Sequence, residues 1–577
     1  MKRIALFWAL TFSWTGLFAQ WSDNSKENLQ LIDQAYYTFE TEILSDGSWY
    51  LYYNRPENGI DTVVPYLQRF DANGVSLWDE RVEVSKQPTL SYTKYMNALL
   101  VDNEDNAIIG VQDIRHGVES YTAYKISPDG ISLWPNGVDL HSGLYPEGCA
   151  ALSMIQIADG SYIFAWQEFG ANSSGTIRMQ RVSAEGNCLW GEGKVLETLN
   201  VPYTYPYLVD AGNNEFILVY AYGASEELQV RKMDFDGNDV WAEPTVGFSG
   251  TMGSSPLWTY LNVVPAAGGV LIGTYAGDPN YPYCVYVRKD GTHAFVEADA
   301  GLRLGYSEWL AWGIKLVYDE ENQTIYAAWR ETDFSQGFQR IVTQKISMAG
   351  ELLWDPNGVE IAAFLPRPVS YYDAEIGPKG SLFISYMEQY DSDGNGGGSN
   401  DPVKDLAVLQ GTEGDFIWED TAVVISDTAS IKYGLTSLPL SDDQWILVWE
   451  DVRDVEGVDG GYLYGQNVNV NGLLGEKVEP SANESRRETH AATFHVKPNP
   501  IRDHAVFHIE NPRYSGQLFR IEMMNANGAI MGEICRGSLH EGRNIIEWNR
   551  PMDMPGGFYI LKAVVGNETS YSKVILQ

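Results

Sequence analysis

"RFDANGVSLWDE", residues 69–80, reads as a tight hairpin: a polar turn, Gly74, then a strand that ends on Trp78. Nearly the same phrase returns as "KISPDGISLWPNGVDL" at 125–140, "RVSAEGNCLWGEGKVL" at 181–196 and "KMDFDGNDVWAE" at 232–243. With the turn glycine as register mark, it recurs at Gly74, Gly130, Gly186, Gly237, Gly291, Gly350, Gly414 and Gly472, at intervals of 51 to 64 residues. Periodicity of this size marks a chain built from stacked units.

The second repeat shows what one unit contains. "MNALLVD", "AIIGVQDI", "YTAYKIS" and "ISLWPNGVDL" read as four short strands, separated by "NEDN", "RHGVES" and "PDG". Four antiparallel strands with no helix between them are the content of a propeller blade. The last repeat gives the same order: "YGLTSLPL", "QWILVWED", "YLYGQNVN" and "LLGEKVE". An Asp or Asn before the glycine caps the turn, and the glycine supplies the positive φ that a tight hairpin needs. The tryptophan that follows (Trp78, Trp134, Trp190, Trp241, Trp354 and Trp418) is a flat plug for the wedge between neighbouring blades. Phe295 takes its place in the fifth repeat, and the eighth has no aromatic there. The expected fold is all-β: an eight-bladed β-propeller (seven blades with a divergent pair at one end as the alternative) and then a small β-sandwich. "NLQLIDQ", 28–34, is the segment available to close the ring on the last blade.

The 577 residues exceed one ordinary core, and 44% hydrophobic with 20% charged residues is a globular composition. "MKRIALFWALTFSWTGLFAQ" has a basic start, an apolar run and a small Ala19, so residues 1–19 read as a secretory signal peptide. No other stretch approaches a membrane span, so the mature protein is expected without a transmembrane helix. A net charge of −38 repels phosphate backbones and argues against a nucleic-acid partner. Cys149, Cys188, Cys284 and Cys535 form no CxxC and no metal spacing, and are expected as free thiols.

At 479–493 the text turns polar and unpatterned, which separates a propeller at 20–478 from a module at 494–577. The module alternates strands with turns at Asn527–Gly528 and Pro555–Gly557. Pro498, Asn499 and Pro500 open it, Gly528 lies in "NANG", Gly557 and Tyr559 lie in "GGFYILK", and Lys573 lies in the final "SKVILQ". In these residues, their order and their place at the C-terminus, the module resembles the type A C-terminal sorting domain of the bacterial type IX secretion system. That resemblance implies a Bacteroidetes-type source, type IX machinery as partner, and a product that is secreted or held at the outer-membrane surface. The repeat is also similar to those of pyrroloquinoline-quinone-type propellers and to the sialidase Asp-box. In both families the Asp–Gly spacing differs from "DANGVSLW", so hairpin mechanics are shared and chemistry is not implied.

In a propeller the loops between second and third strands share a face with the blade connections, and here they are long and uneven. Second strands end on "VQDIR", "AWQEF", "AWRET" and "VWEDVR". Trp166, Trp329 and Trp449 are candidate sugar-stacking faces, with Asp113, Arg115, Glu331, Asp451 and Arg453 as hydrogen-bonding or acid–base groups. The competing reading makes them salt bridges under core tryptophans. In "DSDGNGGGSND", Asp391, Asp393 and Asn395 are candidate calcium ligands, although the loop lacks a distal bidentate Glu. No blade carries a unique His–acid or Ser–His pairing, so no catalytic residue is assigned and the reading leans away from an enzyme. The expectation is an exported binding module for a glycan or protein ligand. The alternatives are a polysaccharide lyase or hydrolase on the loop face and a structural component of a surface assembly.

Overall fold

The turn glycines have φ between +74° and +86°, from Gly74 through Gly472, a region that side chains with a Cβ adopt only under strain. The amide of Gly74 donates to Asp71 O at 3.0 Å, and the same bond spans each of the other seven turns. The cap differs from expectation. In most turns it comes from three residues before the glycine: Asp71 Oδ1 accepts the amides of Asn73 and Val75, both at 2.8 Å, and Asp234 repeats this with Asp236 and Asn238. Asp290 and Asn471, directly before their glycines, are exceptions.

A second constraint acts on the same glycines. A Cβ on Gly130 would meet Trp78 at 3.3 Å, one on Gly186 would meet Trp134 at 2.9 Å, and one on Gly472 would meet Trp418 at 3.1 Å. The aromatic of one unit therefore lies flat on the turn of the next. Trp78, Trp134, Trp354 and Trp418 add a hydrogen bond from Nε1 to a carbonyl of that turn, on Pro128, Ala184, Thr412 and Val470, at 2.8 to 3.3 Å.

This is a computed structural model. It describes residues 21–475 and 493–576, apart from residues 36–38, 57–61, 88, 91–97, 142–147, 170–174, 197–202, 224–226, 250–260, 278, 296–300, 366–367, 391–400, 420, 442, 454–459, 498–500, 512–516, 526–529, 540–541, 552–553 and 566–567. The signal-peptide segment and nearly all of the 479–493 linker lie outside the described residues. The chain divides into two compact units, 1–477 and 478–577.

The first unit holds eight antiparallel sheets among its described residues. The first sheet runs Phe39–Ile43, Trp49–Pro56, Thr62–Phe70 and Val82–Glu83, each strand beside the next. The innermost strand of each sheet touches that of the following sheet, and the last, Lys432–Ser441, touches the first, so the row closes into a ring. Eight apolar cores lie between neighbouring sheets, the one between eighth and first included. Second strands such as Ala107–Asp113 are buried throughout, because sheets cover both of their faces.

Closure uses the chain's beginning. Leu29–Ala35 pairs antiparallel with Gly461–Asn469 and forms the outer strand of the eighth sheet, with Leu29 opposite Gly465. The outer strand expected in "LLGEKVE" is corrected accordingly: Leu473–Gly475 form no strand, and the rest of that phrase lies outside the described residues. Trp21, buried at 5% exposure, supplies the aromatic that the eighth repeat lacks. A Cβ on Gly74 would meet its ring at 2.8 Å, and its Nε1 donates to Ala72 O at 3.0 Å, as Trp78 does one unit further on.

The C-terminal unit has a three-stranded sheet (Thr493–Lys497, His504–Asn511, Gly542–Asn549) and a four-stranded sheet (Ile530–Leu539, Gln517–Asn525, Gly557–Val565, Glu568–Leu576). Phe507, Ile509 and Trp548 of the first share one core with Ile521, Leu561 and Val574 of the second. No helix among the described residues is long and apolar enough to cross a membrane.

If Trp21 completes the ring, Trp21→Ala costs about 3–5 kcal/mol, as for other buried aromatic truncations. Urea unfolding measures this. An unchanged midpoint would show that the ring closes without Trp21.

Candidate functional site

The second-strand phrase is a structural unit. Residues i and i+2 of a strand share a face, and the indole Nε1 donates to the acid two residues on: Trp166 to Glu168 at 3.3 Å, Trp329 to Glu331 at 3.0 Å, Trp449 to Asp451 at 3.3 Å. Each acid then holds an arginine. Glu168 takes Arg178 Nε at 2.7 Å, Glu331 takes Arg340 Nη2 at 2.7 Å, and Asp451 takes Arg453 Nε at 2.9 Å. In the second unit Val111 replaces the tryptophan, and Asp113 holds Arg115 Nε at 2.8 Å. Burial alone would raise the Glu168 pKa, but the bonds from His141 and Arg178 bring it below the ordinary carboxylate value. Burial would lower the Arg115 pKa, and the bonds and charge of Asp113 turn the net shift upward.

The ligand-binding reading of these eight residues is corrected by their burial. Trp166, Trp329 and Trp449 have 0% exposure. Each lies in an apolar core shared with the preceding sheet, Trp166 beside Tyr121 with ring centres 6.5 Å apart. No indole face is open to a sugar. Asp113, Glu331 and Asp451 are equally buried and fully engaged, and Arg115 and Arg453 are committed to them. The pairs mostly lie within one sheet, with added links to the unit connections: Ser307 Oγ donates to Glu331 Oε1 at 2.7 Å, and Arg453 Nη2 to Asn28 Oδ1 at 3.0 Å. Arg178 and Arg340, on third strands, were not legible as partners, because nothing in "GTIRMQRV" or "FQRIVTQ" gives the cross-strand register.

The ring axis carries a different set. Inner strands of neighbouring sheets are stitched by side chains that accept the next strand's amide: Glu40 from Leu99 at 2.7 Å, Ser153 from Leu208 at 2.9 Å, Asn262 from Leu316 at 2.6 Å, Asp373 from Ser437 at 3.1 Å. The stitches leave the first, third, fifth and seventh units. Lys315 Nζ meets Asp373 Oδ1 at 3.1 Å, and Thr41 Oγ1 lies 3.3 Å from Thr436 Oγ1. Glu42 and Glu375 lie on the inner strands of the first and seventh units.

Burial pushes the Glu40 pKa up to about 8, against the Leu99 amide bond that lowers it. Burial pushes Glu42 up to about 7. Glu375 reaches about 8 through burial first and the charge of Asp373 second, with Lys315 opposing. Glu42 nevertheless touches solvent. The inner strands thus gather carboxyls whose pKa values are shifted upward, beside one lysine–aspartate pair.

A cleft of about 600 Å³ lies at the ring seam, lined by Asp33, Tyr53, Tyr66, Gln68, Arg81 and Glu83 among others. Arg81 bridges Asp33 at 3.0 Å and Tyr53 Oη at 3.2 Å, and its guanidinium lies 5.1 Å from the Tyr66 ring centre. These contacts tie the closing strand to the first sheet.

Asp391, Asp393 and Asn395 lie outside the described residues, as do Pro498, Asn499, Pro500 and Gly528. Among the described residues no group of three His, Cys, Asp or Glu side chains could hold a metal ion, and the four cysteines form no disulfide. Gly557 and Lys573 sit on paired strands, with Gly557 opposite Leu576 and Lys573 opposite Ile560, and Tyr559 Oη donates to Pro555 O at 3.1 Å.

No family model matches the chain, and no curated protein matches it. Solved structures similar to it include a protein of unknown function from Dyadobacter fermentans, at 10% identity over 76% of this chain and 98% of that chain, with a TM-score of 0.35. Another is the GH93 α-L-arabinofuranosidase of Fusarium graminearum, at 12% identity over 56% of this chain and 98% of that chain, TM-score 0.34. A third is the acylaminoacyl peptidase of Pyrococcus horikoshii, at 9% identity over 73% of this chain and 58% of that chain, TM-score 0.37. Likenesses of this size leave the reading of the site to its own residues.

Glu331→Ala would leave Trp329, Ser307 and Arg340 without their shared acceptor. A loss of about 3–5 kcal/mol is expected, the cost of breaking a buried pair from one side. Thermal unfolding checks it, and a change within about 0.5 kcal/mol, typical of an exposed site, would contradict the buried-hub account.

The Glu375 pKa stands above its ordinary 4.5, so the folded chain holds a proton that the unfolded chain releases. Its contribution to stability is full below that value and is lost as pH rises toward about 8. Glu375→Gln removes this dependence, so between pH 5 and pH 8 the variant's melting temperature should fall less than that of the parent chain. Parallel profiles would mean that Glu375 titrates normally.

Proposed function

We propose that this chain is an exported binding module: an eight-bladed β-propeller that takes a glycan or protein ligand at its axial opening, followed by a small β-sandwich. The observation that carries the reading is the axial set of Glu40, Glu42 and Glu375, drawn from two units and held toward the protonated form beside Lys315 and Asp373. Protonated carboxyls both donate and accept hydrogen bonds, which suits a hydroxylated or amide-bearing ligand. Glu40 and Asp373 are partly spent on stitching neighbouring strands, which leaves Glu42 and Glu375 as the groups free to meet a ligand.

The same carboxyls favour a second reading, an enzyme acting on polysaccharide. A raised-pKa acid beside an ionisable partner is how a general acid is prepared for glycoside hydrolysis. Binding is preferred because Asp373, the carboxylate beside Glu375, is already held by Lys315 and by the Ser437 amide.

Delivery belongs to the same proposal. Residues 1–19 act as signal peptide, and the 494–577 module is read by type IX machinery through Pro498, Asn499, Pro500, Gly528, Gly557, Tyr559 and Lys573. The product is released or held at the outer-membrane surface of a Bacteroidetes-type cell. The resemblance of those motifs supports this step.

A glycan array probed with the intact chain, assayed for retention and for released sugar, tests the function. Retention without release, weakened about tenfold by Glu42→Gln or Glu375→Gln, supports the binder. Release that stops in either variant replaces it with the enzyme, and retention unchanged in both removes the axis as the site.

A further inference from the structure

Tyr306, Phe334 and Phe338 are 57%, 67% and 43% exposed, and they are the exposed aromatics among the described residues. All three fall in one place. Tyr306 lies on the connection into the sixth unit, and Phe334 and Phe338 lie on that unit's loop between second and third strands. Two half-buried rings back them: Trp309 and Phe364 pack with centroids 4.9 Å apart and planes at 34°, and Phe338 lies 5.8 Å from Phe364. A soluble surface does not gather its exposed aromatics without a use for them. Among the described residues no other unit shows such a patch, unlike the tryptophan–acid–arginine units, which recur.

Its charge is also unusual for a chain of net charge −38. Arg303 is laid against Tyr281, with its guanidinium carbon 3.6 Å from that ring centre and 4.9 Å from Tyr306. Its Nε donates to Gly305 O at 2.7 Å and its Nη2 to Ser307 O at 3.3 Å, both backbone carbonyls. Arg340, linked to Arg303 through Ser307 and Glu331, is neutralised by Glu331 and Glu360 at 2.7 Å each. Arg303 has no carboxylate within ion-pair distance among the described residues. It is a cation held in a fixed pose beside open aromatic faces.

We propose that this patch binds an acidic glycan: a sugar ring stacks its C–H face on the exposed aromatics, and a carboxylate or sulfate on the glycan pairs with Arg303. Flat aromatic surface gives area at low entropic cost, and a preorganised guanidinium gives bidentate recognition of an anion. The site lies away from Glu42 and Glu375, so it extends the binding reading without depending on the axial opening.

The test uses affinity electrophoresis of the intact chain through polygalacturonate, glucuronoxylan and a sulfated galactan, each beside its carboxyl-reduced or desulfated form. At least one acidic polymer should retard the chain, and its neutralised form should do so about tenfold less. Arg303→Gln and Phe334→Ala should each weaken retardation about tenfold, with melting temperatures unchanged for Phe334→Ala, whose ring is mostly in solvent. Preference within the charged pairs separates carboxylate from sulfate. Equal retardation by charged and neutralised polymers, retardation by none, or retention in both variants would overturn the proposal. Loss only in Glu42→Gln or Glu375→Gln would return the ligand to the axis and leave the first reading standing.

Discussion

An aromatic ring lying on a glycine of the next unit's turn is the contact on which this ring depends. The turn needs glycine for its backbone conformation, and the neighbouring ring needs it because a Cβ would meet the indole at about van der Waals limits or closer. One residue therefore answers to two constraints, one local and one from the adjacent unit. Because each unit leans on the next, none buries its apolar faces alone, and the last must find the first. Trp21 and Leu29–Ala35 make that return contact, so a segment that begins just after the expected signal peptide finishes the final sheet.

Much of this architecture was legible. The spacing of Gly74 to Gly472 and the tryptophan after each turn announce stacked four-stranded units, and 28–34 stood out as the spare strand. Trp21 was not legible, because it carries no turn phrase of its own and its partner Ala72 is 51 residues away. The turn caps were misplaced by two residues, since a side chain three positions before the glycine reaches back over the turn as well as one directly before it.

The site was less legible than the fold, for a physical reason. Trp166, Trp329 and Trp449 beside acids look the same in a sequence whether they face a ligand or a neighbouring sheet. Burial decides, and burial depends on which face of the strand meets the preceding unit. The groups that do face solvent carry weak sequence signals. Glu42 and Glu375 lie 333 positions apart on inner strands, and only ring closure brings them to one axis. Tyr306, Phe334 and Phe338 sit in irregular connections without a repeated phrase. Repetition marks what holds the ring together, and the departures from it carry the proposed ligand contacts.

Hydrogen–deuterium exchange on the intact chain tests ring closure most directly. Amides of 29–35 should be as protected as those of 461–469, and the two segments should open together in denaturant, because they share one ladder. Rapid exchange at 29–35 with 461–469 still protected would contradict closure by the N-terminal strand.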